Sequence, residues 1–226
     1  MNNSAPTTDG MAQAPQKRRS GRPPKTDGAQ RETRERLVRC GIEILTEHGF
    51  ASTSIDVVLK KVGVPKGSFY HYFSSKDGFG RAVIEGYATY FAAKLDHSLL
   101  DESRPPLDRL RDFIIDAQDG MVRHDFRRGC LIGNMGQELG GIHDEFRELL
   151  ESVFLDWQNR VERCLIAAQK KGHLARTANC AELAAFFWIG WEGAILRAKL
   201  VRSTAPLNIF AEAFFAGLAH PQNSTS

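Results

Sequence analysis

The stretch TSIDVVLKKVGVPKGSFYHYFSSK, Thr53 to Lys76, decides how the rest of the chain is read. Ile55, Val58, Leu59 and Val62 recur at helical spacing, which predicts a short amphipathic helix over Ser54 to Val62. Gly63 ends it, because glycine turns there without steric cost. Pro65 suits the first turn of a second helix, where its missing N–H costs nothing. That helix, expected from Lys66 to Tyr72, carries Lys66, Ser68, Tyr70, His71 and Tyr72. Two short helices joined by a tight turn containing glycine make a helix-turn-helix, whose second helix enters the DNA major groove.

The side chains fit that role. Gly67 lets the backbone approach a phosphate closely, and Ser68 can donate to one. Tyr70 and Tyr72 suit a groove wall, while Phe69 and Phe73, four apart, anchor the helix inward. Thr53 and Ser54 offer a helix cap whose hydroxyls could also meet phosphate. Ser74 or Ser75 caps the next helix, with Lys76 in its first turn. A cation there opposes the helix dipole, so an anion such as a DNA phosphate is expected beside it.

The run GSFYHYFSSK resembles the DNA-binding domain of TetR-family transcriptional repressors. Two later stretches, RRGCLIGNMGQEL (Arg127 to Leu139) and FWIGWEGAILRAKL (Phe187 to Leu200), are similar to the branch that senses acrylate or N-ethylmaleimide-like electrophiles. The resemblance covers roughly Arg31 to Leu218. It implies an all-α fold with a helix-turn-helix head over 31–76 and a ligand-binding and dimerisation body over 77–220. It also implies a homodimer on a double-stranded DNA operator, repression relieved by a small-molecule inducer, and no cofactor.

Composition agrees. The chain has 226 residues, 42% of them hydrophobic, enough for a sizeable core. Residues 1–80 hold 13 Lys+Arg against 8 Asp+Glu, whereas residues 81–226 hold 17 against 19. A basic N-terminal third on a near-neutral remainder suits a polyanion at one end. Cys40, Cys130, Cys164 and Cys180 show no C-x-x-C pairing, which argues against a zinc site or disulfide framework and fits a reduced cytoplasm. No apolar run is long enough to span a membrane, and the N-terminus lacks the apolar core of an export signal.

In chain order, residues 1–30 read as a disordered arm with a basic segment, KRRSGRPPK (Lys17 to Lys25). Its Gly21-Arg22-Pro23 core resembles arms that lie in AT-rich minor grooves, so Arg22 joins the DNA-contact set; a tail adding only non-specific charge is the alternative. Leu37, Gly41, Ile44 and Leu45 mark a first helix from Arg31 to His48, with Cys40 a small core residue. Asp56 would repel phosphate and receives no DNA role; Lys60 and Lys61 read as a solvated face.

A long helix is expected from Lys76 to about Leu100, burying Phe79, Val83, Tyr87, Tyr90, Phe91 and Leu95. Pro105 and Pro106 restart the chain into a helix ending near His124. Further helices are expected over Cys130 to Leu139, Asp144 to Lys171, Ala181 to Val201 and Leu207 to Leu218. The last two are apolar nearly all round and so must be buried. In TetR-like proteins the corresponding pair forms the dimer interface.

Arg127-Arg128-Gly129-Cys130 puts a thiol at a helix N-terminus beside two arginines, a field that favours the nucleophilic thiolate. Asn134, Gln137 and Glu138 follow at one-turn spacings and could line the same cavity. Trp188, Trp191 and Glu192 lie on an apolar helix, where the carboxylate needs a partner such as Arg128 or Arg197. Aromatic walls with a few polar groups describe a small-ligand pocket; a dimer core with one internal salt bridge is the other reading. The resemblance further implies that Cys130 and Lys199 work as a redox pair, so oxidation at Cys130 is an alternative to ligand binding. No metal-ligand spacing, G-x-S-x-G or phosphate-binding loop appears, which leaves an enzyme using Cys130 with His124 or His143 as the weaker class.

Overall fold

The computed structural model describes residues 27–219, and among them all regular structure is helical. Arg22 and the basic arm lie outside the described residues. The elements are α1 (Asp27–His48), α2 (Ile55–Val62), α3 (Lys66–Phe69), α4 (Lys76–Leu99), α5 (Pro106–Arg123), α6 (Leu131–Leu139), α7 (Asp144–Lys170), α8 (Cys180–Val201) and α9 (Ala205–Ala219).

The head is α1, α2 and α3. Gly63 takes the left-handed conformation (φ 73°) that ends α2, and the Val64 N–H returns to Leu59 O to close the turn. The second helix of the motif is shorter than its sequence suggests. After Phe69 the chain tightens into i→i+3 bonds, His71 N–H to Ser68 O and Tyr72 N–H to Phe69 O. This brings Phe73 inward beside Phe69, and both rings meet Phe79 of α4. Ser75 then caps α4, its hydroxyl accepting from the Gly78 N–H at 3.0 Å.

Helix α4 belongs to both head and body. It packs on α1 at one end, where Gly41 leaves room for Phe79 and Val83, and on α5 and α7 along the rest. Beside α7 the body core is aromatic: Trp157 lies 4.5 Å from the Phe91 ring and 5.0 Å from that of Trp188. Arg109 is buried at the α4–α5 connection because it donates to the Leu99 and Arg104 carbonyls. Tyr90, expected inside, is 60% exposed and borders a cavity.

The last two helices are not fully covered within one chain. One side of α8 packs on α7 and α9, with Gly190 seating the Phe210 ring. The other leaves Phe186, Ile189, Leu200 and, from α9, Ile209 open, Ile189 at 73%. A single chain therefore cannot bury these helices as their composition demands.

Candidate DNA-binding face and ligand cavity

The DNA-binding side is a cleft of about 420 Å³ lined by Ala51 to Asp56, Lys66, Phe69, Tyr70 and Lys76. Tyr70 and His71 are exposed and Tyr72 partly buried, with Phe69 as their anchor beneath. Gly67 is exposed, and an added methyl there would meet nothing, so the backbone is open to a close partner. Ser68 is half-buried and Ser54 exposed at the N-cap of α2 with no side-chain cap bond.

Three expected contacts are engaged elsewhere. Thr53 is buried and its hydroxyl donates to Gly49 O at 2.7 Å, so it shapes the α1–α2 turn and offers nothing to phosphate. Lys66 Nζ sits 2.9 Å from Asp56 Oδ2, which explains a carboxylate on this face: it holds α3 to α2. Lys76 Nζ donates to Ala51 O at 3.2 Å and lies over the Phe50 ring, so the protein itself compensates this cation. Both lysines remain on the cleft wall.

In the body a cavity of about 750 Å³ opens between α1, α4, α5, the start of α6 and α8. Arg128, Cys130, Trp191 and Glu192 line it. Trp188 does not: it is packed among Phe91, Phe113 and Trp157 in the core. Gln137 is exposed and absent from the wall, because it lies a turn beyond the end of α6 that reaches the cavity. Tyr87, Tyr90 and Phe91, spaced i, i+3, i+4 on α4, supply walls that reading them only as core concealed.

The electrostatics of Cys130 reverse the sequence expectation. Its thiol is buried at the N-cap of α6 and accepts from the Gly133 N–H at 3.4 Å. Burial, then the neighbouring Glu192 carboxyl, push the thiol well above its ordinary range. Arg128 does not counter this, because its guanidinium turns to Glu47 at 2.7 Å and to Glu43. Glu192 likewise lacks the expected arginine: Arg197 is exposed, and the group hydrogen-bonded to the carboxyl is the Cys130 thiol. Uncompensated burial pushes Glu192 up to about 7.

Helix α6 ties the cavity to the head. Cys130 caps one end; Asn134 in the middle donates to Thr46 O of α1 at 3.1 Å and accepts from Lys199 Nζ at 3.5 Å. Lys199 is half-buried, which lowers its ammonium below the usual lysine range. At the far end Glu138 accepts from the Phe50 and Ala51 N–H groups, so it lines no cavity and grips the α1–α2 turn. Helical spacing from Cys130 predicts Glu138 on the cavity wall; its carboxylate instead meets a partner 88 residues away, which no local pattern marks.

The family profile for bacterial regulatory proteins of the tetR family matches residues 37–83, and that for the tetracyclin repressor-like C-terminal domain matches 106–214. The chain belongs to the TetR family. It is 50% identical to the transcriptional regulator AcuR of Cereibacter sphaeroides over 92% of this chain and 95% of that protein. With the HTH-type transcriptional repressor DhaR of Mycobacterium sp. strain GP1 it shares 34% identity over 84% and 94%. Among solved structures, the regulatory protein TetR from Rhodobacter sphaeroides superposes with a TM-score of 0.79 at 50% identity, covering 81% of this chain and 97% of that one. The reduced form of E. coli NemR gives 0.77 at 26% identity, covering 84% and 99%. The protein is thus a helix-turn-helix transcriptional repressor of the AcuR- and NemR-like branch, and not an enzyme. TetR-family regulators bind DNA and small ligands and act as dimers.

Proposed function

We propose that this repressor binds a palindromic operator as a homodimer and is released when a short unsaturated carboxylate such as acrylate, or a small electrophile, enters the body cavity. The observation that carries the reading is the course of α6: it begins at Cys130 on the cavity wall and ends at Glu138 on the head. A ligand that shifts the start of α6 acts on the α1–α2 turn through the two hydrogen bonds that the Glu138 carboxylate accepts from the Phe50 and Ala51 N–H groups. The shift is limited by the ligand's differential affinity for the two head arrangements.

The division into an arm, a head ending at 76 and a body (77–220) belongs to this proposal, as does a cytoplasmic setting; the head begins at Asp27 with α1, four residues before the boundary of 31 expected from sequence. DNA contact falls to Ser54, Gly67, Ser68, Tyr70, His71 and Tyr72, with Lys66 and Lys76 exchanging their internal partners for phosphate. The exposed faces of α8 and α9 pair with their symmetry mates. That arrangement sets two recognition elements roughly 34–36 Å apart, one DNA turn.

A second reading, oxidation at Cys130 with Lys199 as its partner, is supported by the resemblance and by the two side chains flanking α6. A buried, protonated thiol disfavours it. The test is DNase footprinting of DNA upstream of the gene. A symmetric footprint erased by acrylate supports the acid ligand, and one erased only by oxidant supports the second reading. No footprint across the region would remove the operator assignment.

A further inference from the structure

The cavity wall carries a carboxyl group that neither the fold nor the DNA-binding face uses. Glu192 as a residue is half-buried, but its Oε1 is fully buried without a hydrogen-bond partner. Oε2 faces α6, so close that a methyl at Gly133 would overlap it, and the carboxyl accepts from the Cys130 thiol. The indole Nε1–H of the neighbouring Trp191 is also buried without a partner, but so are those of Trp157 and Trp188 in the core, and the orphan that marks the cavity is Glu192 Oε1. Buried polar groups in folded proteins are normally paired, so unpaired groups beside a cavity point to a partner that the chain does not supply.

The charged and titrating groups around Glu192 leave it without a cation. From α6 comes the Cys130 thiol. From α4 comes Tyr87, whose hydroxyl bonds to Cys130 and the Leu131 backbone and is itself held protonated by burial. Lys199, farther along α8, is directed to Asn134, and Arg128 is held by Glu47 and Glu43 of α1. His124, at the end of α5, lies on the cavity wall, as do Arg34 and Arg39 of α1, Lys94 of α4 and Arg123 of α5, the last two paired with Asp116, and none of them acts on the Glu192 carboxyl. Towards α8, α7 presents Trp157 and α9 presents Phe210, neither of which titrates. A lone carboxyl in such a place keeps its proton near neutrality and becomes a hydrogen-bond donor.

We propose that Glu192 in its neutral form recognises a ligand carboxylate, its Oε1–H donating to one ligand oxygen. This rests on the small-acid reading above and adds its specificity element. The Glu192 carbonyl oxygen, Oε2, keeps the Cys130 thiol. Tyr87, Phe91 and Ile195 supply apolar wall for the hydrocarbon end. Because a carboxylate ligand cannot sit beside a second carboxylate without repulsion, binding above neutrality takes up one proton from solvent. No covalent bond forms, and propionate serves as well as acrylate.

The experiment is isothermal titration of the full-length protein with acrylate and with propionate between pH 5.5 and 9, in wild type and Glu192→Gln. The side-chain amide of that variant is a donor that does not titrate. Wild-type affinity should be flat up to near pH 7 and then fall about tenfold per pH unit, the slope for one linked proton. The variant should bind with no such slope. Buffers of different ionisation enthalpy give a reading independent of any substitution: close to one proton taken up at pH 8.5 and none at pH 5.5. Thiolate addition at Cys130 would change with pH in the opposite sense and would occur with acrylate alone. Binding without proton uptake, or a slope that survives in the variant, overturns the assignment to Glu192 while leaving the small-acid reading standing. Failure of both acids to bind at any pH overturns both.

Discussion

Glu138 Oε2 accepts from the Phe50 N–H at 2.8 Å across the junction between body and head, and Oε1 accepts from the Ala51 N–H at 2.6 Å. Lys76, on the wall of the DNA-side cleft, reaches the same two residues: its ammonium lies over the Phe50 ring and donates to Ala51 O. One carboxylate thus sets a turn that also positions a wall of the DNA-binding face.

Glu138→Ala should therefore weaken the coupling between sites more than it weakens the fold. Losing hydrogen bonds to a charged acceptor should cost about 1–3 kcal/mol locally. Amide exchange at Phe50 and Ala51 should speed up, and the ratio of operator affinities without and with acrylate should shrink. Unchanged amide protection and an unchanged ratio would show that α6 does not carry the signal.

On the DNA face, exposure separates anchor from reader. Tyr70→Ala removes a ring that is 68% exposed, so thermal stability should stay within about 0.5 kcal/mol while operator affinity drops. Phe69→Ala removes a ring that is 2% exposed and should cost about 3–5 kcal/mol. Lys76→Ala should weaken operator binding and leave the dimer intact by light scattering. Normal affinity in both Tyr70→Ala and Lys76→Ala would displace the contact surface from this cleft.

The buried Glu192 makes stability depend on pH. Its folded carboxyl titrates near 7 against an ordinary 4.5, so the folded state holds the proton more tightly than the unfolded chain does. The resulting stabilisation is complete below the ordinary carboxyl range and is lost as pH rises through about 7. Glu192→Gln should be more stable than wild type at pH 8.5 by roughly 3 kcal/mol and nearly equal to it at pH 4.5. Denaturant melts at the two pH values measure the difference, and parallel behaviour of the two proteins would place the proton elsewhere.

Cys130 reactivity follows from the same pair. With the thiol held above its ordinary range, N-ethylmaleimide should label Cys130 slowly near neutrality and faster as pH rises. Above neutrality, where Glu192 is ionised, Glu192→Gln removes the neighbouring charge and should speed the labelling. Cys130→Ser should keep operator binding and lose any response to N-ethylmaleimide; release that persists in this variant would take Cys130 out of the electrophile response.

The helix-turn-helix and the all-α body could be read from the chain because their signals are local: a glycine stop at Gly63, aromatic anchors at Phe69 and Phe73, and helical spacing throughout. The site was only half visible, because its determinants join distant elements. Arg128 lies next but one to Cys130 in sequence, yet Glu47 of α1 draws it away, and the cation left near the thiol is Lys199, itself turned to Asn134. Nothing near Glu138 marks Phe50 and Ala51 as its partners. Tyr87 and Phe91 were placed on a buried face correctly, but a periodic pattern does not distinguish a packed core from the wall of a cavity.

The exposed apolar side of α8 and α9 gives the dimer a specific test. Ile189→Glu puts a charge in the middle of the surface assigned to the symmetry mate. It should produce monomers by sedimentation and weaken operator binding without unfolding the chain. A variant that remains dimeric would move the interface off these helices.

The most direct measurement is fluorescence anisotropy of the protein on DNA from upstream of its own gene, at near-physiological salt with random-sequence competitor, titrated with acrylate and separately with N-ethylmaleimide. Specific binding should be reversed by acrylate in wild type and in Cys130→Ser alike, with release by N-ethylmaleimide confined to wild type. Specific binding indifferent to both compounds would contradict the cavity as a sensor of small acids and electrophiles.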